Sequence, residues 1–307
     1  MMIKKVGFYG LDVYSLFESI DVVLRQLETI NPFLARRARI RYECFSPFIR
    51  DEKAYAKSLL DFPEGCRNEV LRNLQELLKL RSEYKNTLLN LQQNARIIAN
   101  AESYYRAMIR ADESSWNIRD QHMLATLEQL LDYHGGDAKA IVWAHNSHIG
   151  DYRATDMEAS GLVNLGGLAR EKWGEEQIAL VGFGTYQGEV IASGAWDGPI
   201  EKMVVPPGKP GTYESIFHEF VKRSRIKNFF IDLRGKGTRQ GPLSKVRGHR
   251  AIGVVYHPAH ERFGNYVPTS LANRYDAFIF FDETRALEPM IMGFEREEFP
   301  ETWPRGV

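Results

Sequence analysis

Lys139-Ala140-Ile141-Val142-Trp143-Ala144 runs without a break into His145-Asn146-Ser147-His148-Ile149-Gly150-Asp151. A short apolar run followed at once by a polar heptad reads as a buried strand ending in a loop at its carboxyl edge, where open α/β sheets bind their ligands. Similar apolar runs follow at Ile178-Ala179-Leu180-Val181-Gly182-Phe183, at 228–233, at 250–256 and at 277–281. Helical spacing occupies 163–173 and 213–222 between them. Near-continuous apolar strands separated by helices predict an α/β fold, its sheet mostly parallel or mixed and covered by helices on both faces.

Upstream, residues 5–12 read as one more strand ending in a Gly-x-Asp turn. Leu16, Ile20, Val23, Leu24 and Leu27 then mark a helix over 14–30, with Ser15 and Glu18 spaced as a capping box and Asn31-Pro32 ending it. From Pro32 to about His134 the chain is poor in strands. Leu71, Leu74, Leu77 and Leu78, then Leu88, Leu89, Leu91 and Ile97, then Met123, Leu124, Leu127, Leu130 and Leu131, lie on helical faces, and Gly135-Gly136-Asp137 stops the last helix. The expected organisation is a first strand–helix unit of the α/β domain (1–31), an all-helical excursion (32–135) and the remainder of the α/β domain (136–307).

Forty Lys plus Arg balance forty Asp plus Glu over 307 residues, a formal net charge of zero. That removes the electrostatic footprint of a protein built to bind nucleic acid or an anionic membrane surface. Cys44 and Cys66 are too few for a disulfide framework or a four-thiolate zinc site. No apolar stretch of signal-peptide or membrane-spanning length is present. The expectation is a reduced, cytoplasmic, soluble protein.

The heptad 145–151 is too polar for a core. Its imidazoles at His145 and His148 are natural general bases, Asp151 is placed to orient one of them, and Asn146 and Arg153 are candidates to hold substrate oxygens. Asp12, at the end of the first strand, and the Arg119-Asp120 pair are further candidates, Asp12 for the catalytic site and the pair for substrate; Glu283 is another candidate acid. Two alternatives stand beside the histidine-base reading. His145-x-x-His148 and His257-x-x-His260-Glu261 have spacings that suit a divalent metal. Ser147 beside a base is a nucleophile in principle, without the Gly-x-Ser-x-Gly elbow. The run 182–188 lacks the signature of a phosphate-binding loop and reads as a strand and turn.

Several ordered stretches resemble the erythromycin esterase family: Gly7-Phe8-Tyr9-Gly10-Leu11-Asp12-Val13-Tyr14-Ser15, Ala35-Arg36-Arg37-Ala38-Arg39, Ser115-Trp116-Asn117-Ile118-Arg119-Asp120-Gln121-His122-Met123, the run 141–151, Gly182-Phe183-Gly184-Thr185-Tyr186 and Asp282-Glu283-Thr284-Arg285-Ala286-Leu287. The resemblance implies an α/β fold with a helical excursion. It also implies hydrolysis of an ester or lactone in a small molecule, such as a macrolide in antibiotic resistance, by a histidine-activated water without a cofactor. His145 and His148 inherit the catalytic assignment, and Asp12, Arg119 and Asp120 inherit it more weakly. Members ordinarily carry a further N-terminal segment with a Gly-Glu-x-Thr-His-Gly motif, and no Thr-His-Gly occurs here. The expectations that follow are absent N-terminal strands of the family fold, impaired activity or an inactive metabolite-binding remnant, and an open apolar edge that favours self-association or a partner N-terminal fragment.

Overall fold

The computed structural model describes residues 7–81, 85–110, 112, 114–196 and 198–288. They form two compact units that divide between Ala140 and Ile141.

The first unit is helical: α1 (Leu16–Ile30), α2 (Pro32–Tyr42), α3 (Glu52–Ser58), α4 (Arg67–Leu77), α5 (Lys85–Ile109) and α6 (Ser114–His134). On α1, Leu16, Ile20, Val23, Leu24 and Leu27 recur at three- and four-residue intervals, so one stripe is buried. That stripe belongs to the same core as Ala35 and Ala38 of α2 and Leu91 and Ile98 of α5. The helix expected to accompany a first strand therefore packs among helices. Gly7–Leu11, read as part of that strand, carries no ladder, and Phe8 is exposed; residues 5 and 6 lie outside the described residues. Ser15 occupies the N-cap of α1, yet its side chain makes no cap hydrogen bond, so the expected capping box is not formed. Asn31 does cap: its Oδ1 accepts Leu34 N–H at 3.2 Å, with Pro32 preset in the first turn of α2. Cys44 and Cys66, expected as reduced thiols, are joined as a disulfide with their Cα atoms 5.7 Å apart. Helical periodicity carries no information on which cysteines meet, and here the fold brings the pair within bridging reach.

The second unit holds β1 (Val181–Ala192), β2 (Glu201–Val205), β3 (Asn228–Asp232), β4 (Arg247–Arg250), β5 (Tyr266–Thr269) and β6 (Ala277–Thr284), with the helices α7 (Asn146–Ile149), α8 (Leu165–Trp173) and α9 (Tyr213–Ser224). The main sheet has the order β2-β1-β6-β3, and β4 pairs with β5 separately. Its central pair, β1 and β6, is parallel with Val181 opposite Ala277; β2 and β3 join antiparallel on either side. The sheet is mixed. Phe217 and Val221 of α9 share a core with Phe278 and Phe280 of β6, the apolar alternation of the strand meeting the stripe of the helix. Two expected strands do not form. Among the described residues, 139–144 join no ladder, and of 250–256 only Arg250 lies in β4 while Val255 makes an isolated bridge to Ser193. Apolar alternation predisposes a segment to a sheet, but a strand exists only where a neighbour offers its edge. Among the described residues, no helix is long and apolar enough to cross a membrane.

Candidate active site

His145 is the N-cap of α7, and its ring is held through Nδ1 by its own loop. Nδ1 accepts from Ser147 N–H at 3.2 Å and meets Ser147 Oγ at 2.8 Å, and the ring also hydrogen-bonds the backbone at Ile252. Desolvation, then neighbouring His148, lowers its pKa to about 4, although part of the residue faces solvent. The exposed edge admits water that moderates the shift, and the ring is neutral at neutral pH. His148, one turn on, is 7% exposed. The two imidazoles thus differ in burial.

Asn146 holds the loop on the sheet. Its side-chain amide donates to Phe183 C=O at 2.6 Å, and its Oδ1 accepts Phe183 N–H at 3.1 Å, so it acts as a one-residue strand against β1. From the other side, Asn164 donates to Ser147 C=O at 2.7 Å while its Oδ1 caps α8 through Gly167 N–H at 3.1 Å. Arg274, almost fully buried, donates to Asn146 C=O at 3.2 Å and to Thr269 Oγ1 at 3.0 Å. A methyl group on Gly150 would meet the Arg274 side chain at 2.6 Å, and one on Gly166 would meet Ile149 C=O at 2.2 Å. The close approach of α8 to the loop therefore requires glycine at 166.

Asp151 does not serve an imidazole as expected. Its carboxylate accepts Arg153 N–H at 3.1 Å, Arg153 Nε at 2.9 Å, Arg153 Nη2 at 2.7 Å and Arg170 Nη1 at 3.1 Å. Four donors fill the lone pairs that a carboxylate offers. Desolvation raises the Asp151 pKa, but the hydrogen bonds from Arg153 and Arg170 overcome it, and the net shift is downward. Arg170 also pairs with Asp276 at 2.7 Å and donates to Asn273 C=O at 3.1 Å. Beside these groups lies a cavity of about 510 Å³, lined among others by Asp151, Arg153, Thr155, Asp156, Arg239 and Ser270. That volume lies within the range of small-molecule sites. Neither His145 nor His148 is among its lining residues.

Sequence reasoning missed the buried polar pairs beneath this loop. Glu214 of α9 accepts from His249 Nδ1 at 2.8 Å and from Arg250 N–H at 2.9 Å. Burial lowers the His249 pKa, more than its bond to Glu214 raises it. Arg250 pairs with Glu261, whose carboxylate also takes the hydroxyls of Tyr256 and Tyr266. Glu261, one of the three residues of the second candidate metal motif, is thereby committed to an internal ion pair. His257 and His260 sit with ring centroids 6.3 Å apart, and among the described residues no three His, Cys, Asp or Glu gather as a ligand set.

In the helical unit, Asp12 closes a turn by accepting Val13 N–H at 2.8 Å and receives Arg119 at 2.9 Å and 2.6 Å in a two-pronged ion pair. The Arg119 guanidinium lies 4.6 Å from the centroid of the Tyr14 ring. Burial lowers the Arg119 pKa, but the bonds to Asp12 outweigh it and raise the pKa overall. Both side chains, expected to contact substrate, are occupied with each other. Asp120 lies on α6 and is fully buried.

A mixed sheet, a helical companion and a histidine-bearing loop pinned to the central strand define an α/β protein with an enzyme-like polar site. Residues 2–284 match the model of the erythromycin esterase family, and the chain belongs to that family. Three solved structures share its fold. A succinoglycan biosynthesis protein is 20% identical with a TM-score of 0.72, covering 92% of this chain and 66% of its own. A Bacillus cereus protein is 19% identical with a TM-score of 0.73, covering 92% and 67%. A mutant of the erythromycin esterase EreC in its open conformation is 13% identical with a TM-score of 0.61, covering 90% and 68%. The chain thus spans about two thirds of the length of each.

Proposed function

We propose that this protein hydrolyses an ester or lactone of a small polyketide-like or carbohydrate metabolite, with His148 as the general base. The observation that carries this reading is the family match over residues 2–284, inside which the His145-Asn146-Ser147-His148 run lies. In the reaction, a water oxygen attacks the acyl carbon while its proton passes to the imidazole. The acyl C–O bond then breaks, and the leaving alkoxide takes that proton back. A positioned base of this kind contributes roughly a hundred- to ten-thousand-fold in rate. The test is incubation with a panel of macrolides and chromogenic esters, followed by mass spectrometry. The reading predicts a product heavier by one water for at least one lactone; no turnover of any member argues against it.

A second reading, a metabolite-binding remnant without turnover, is favoured by the internal commitment of Asp12, Arg119 and Asp151. It predicts that a macrolide raises the melting temperature while remaining intact.

A further inference from the structure

Three arginines are buried among the described residues: Arg170, Arg250 and Arg274, the last only 1% exposed. Burying a charge is costly unless an opposite charge compensates it. Arg170 is matched by Asp151 and Asp276, and Arg250 by Glu261. Arg274, at the end of the short helix Leu271–Arg274, has no such match among the described residues. Its guanidinium donates to Asn146 C=O at 3.2 Å and to Thr269 Oγ1 at 3.0 Å, and its Nε meets no acceptor. A chain that leaves its deepest cation uncompensated gives up stability there, and such departures from good packing chemistry collect at functional sites.

That cation lies against the histidine loop. The helix α7 is a single turn of four residues, too short to hold itself. Asn146 C=O closes the turn by accepting Gly150 N–H at 3.1 Å, and the same oxygen takes Arg274 Nη2. At the other end, Arg274 C=O accepts Asp151 N–H at 3.0 Å. Thr269 Oγ1 donates its proton to Val267 C=O at 3.0 Å, which leaves its lone pairs for Arg274. One residue thus grips the turn at its start through the side chain and at its end through the main chain.

We propose that Arg274 is the positioning residue of the histidine loop, fixing both ends of the turn that carries His148 so that its imidazole is presented in one place. The proposal rests on the hydrolysis reading above. The uncompensated charge has a second effect. Together with His148 and His249, it faces His145 and disfavours a proton there, adding to desolvation, which is the larger cause. A carboxylate beside Arg274 would secure the side chain better, but it would cancel that field.

Arg274→Gln in the full chain, its fold checked by circular dichroism, tests this by three readouts. On an ester or lactone that the wild type turns over, kcat is expected to fall roughly a hundred-fold, the cost of a base misplaced by about 1 Å, with KM nearly unchanged. By NMR, the His145 titration midpoint is expected to rise toward the ordinary imidazole value, whereas Arg274→Lys, which keeps the charge but not the fork, leaves it low. Amide hydrogen exchange is expected to quicken at 148–151 and not across β1 and β6. Tyr256→Phe, which removes a buried hydrogen bond to Glu261 in the same unit, is the destabilised control and moves none of the three. Should Arg274→Gln not fold, Thr269→Val removes one acceptor of the fork and is expected to quicken exchange at the same amides. Titration and exchange need no substrate, so a wild type that hydrolyses nothing removes the hydrolysis reading and leaves these two to decide. A folded Arg274→Gln protein with an unmoved His145 midpoint, or with exchange quickened evenly over the whole unit, overturns the proposal, as does a wild-type kcat.

Discussion

Asn146 presses its side-chain amide against the backbone of Phe183, giving one hydrogen bond and accepting another, at 2.6 Å and 3.1 Å. This pair fixes where the histidine loop begins on the central strand. Asn146→Ala removes both bonds, and the expected loss is about 1–2 kcal/mol of unfolding free energy, since the site is partly open to water. Asn146→Asp is expected to be worse at neutral pH, because a carboxylate then opposes the Phe183 carbonyl. Urea unfolding of both variants, with mild acid recovering part of the Asp defect, checks this.

Gly166 is where α8 touches the same loop. A methyl there lies 2.2 Å from Ile149 C=O, a backbone atom that cannot swing aside. Gly166→Ala is expected to cost about 1–3 kcal/mol, the usual penalty of overpacking. Gly264→Ala meets nothing within 4 Å and serves as the control with an unchanged midpoint.

Arg170 joins Asp151 and Asp276 with its side chain only 1% exposed. Arg170→Met removes the counter-charge that the two carboxylates share, while Asp151 keeps Arg153 and Asp276 keeps Arg239, and about 1–3 kcal/mol is expected to be lost. Adding Asp276→Asn is expected to restore part of that loss, because one of the two carboxylate charges that Arg170 balanced is then gone. Thermal denaturation of the single and double variants measures the coupling.

Acid is expected to unfold the protein in two stages. Burial lowers the His122 pKa to about 4, and His249 is lowered for the same reason. Unfolded histidine titrates near about 6.5, so between there and about 4 the unfolded chain binds more protons, and stability falls as pH falls through that window. For His122 alone the full loss is about 3 kcal/mol. Asp151 and Glu214 are shifted downward, so their contribution is intact above the ordinary carboxylate range and is lost only below it. Melting temperatures followed from pH 8 downward (~3 at the acid end) resolve the stages. His122→Gln is expected to flatten the first, and a wild-type melting temperature constant across pH 4–6.5 contradicts it.

Much of this was legible in the sequence where local pattern decides. The stripe Leu16, Ile20, Val23 and Leu27 located α1, and the polar heptad after Ala144 located the loop. What local pattern could not reveal was pairing. Residues 139–144 have the composition of a buried strand yet join no ladder among the described residues, while Asp12 and Arg119 look like site groups until their mutual ion pair is seen. Glu214 did leave a signal, because a carboxylate three and seven residues before Phe217 and Val221 sits on an apolar stripe and so needs a buried partner. Its partner, His249, is 35 residues away, and no short-range rule links them.

We propose that the loop after Ala144 performs hydrolysis through His148. The most direct measurement is kcat/KM of His148→Asn against wild type, on whichever ester or lactone the wild-type protein turns over, with circular dichroism confirming the fold. The expected result is a fall of roughly a hundred- to ten-thousand-fold. A folded His148→Asn variant that hydrolyses at the wild-type rate contradicts it.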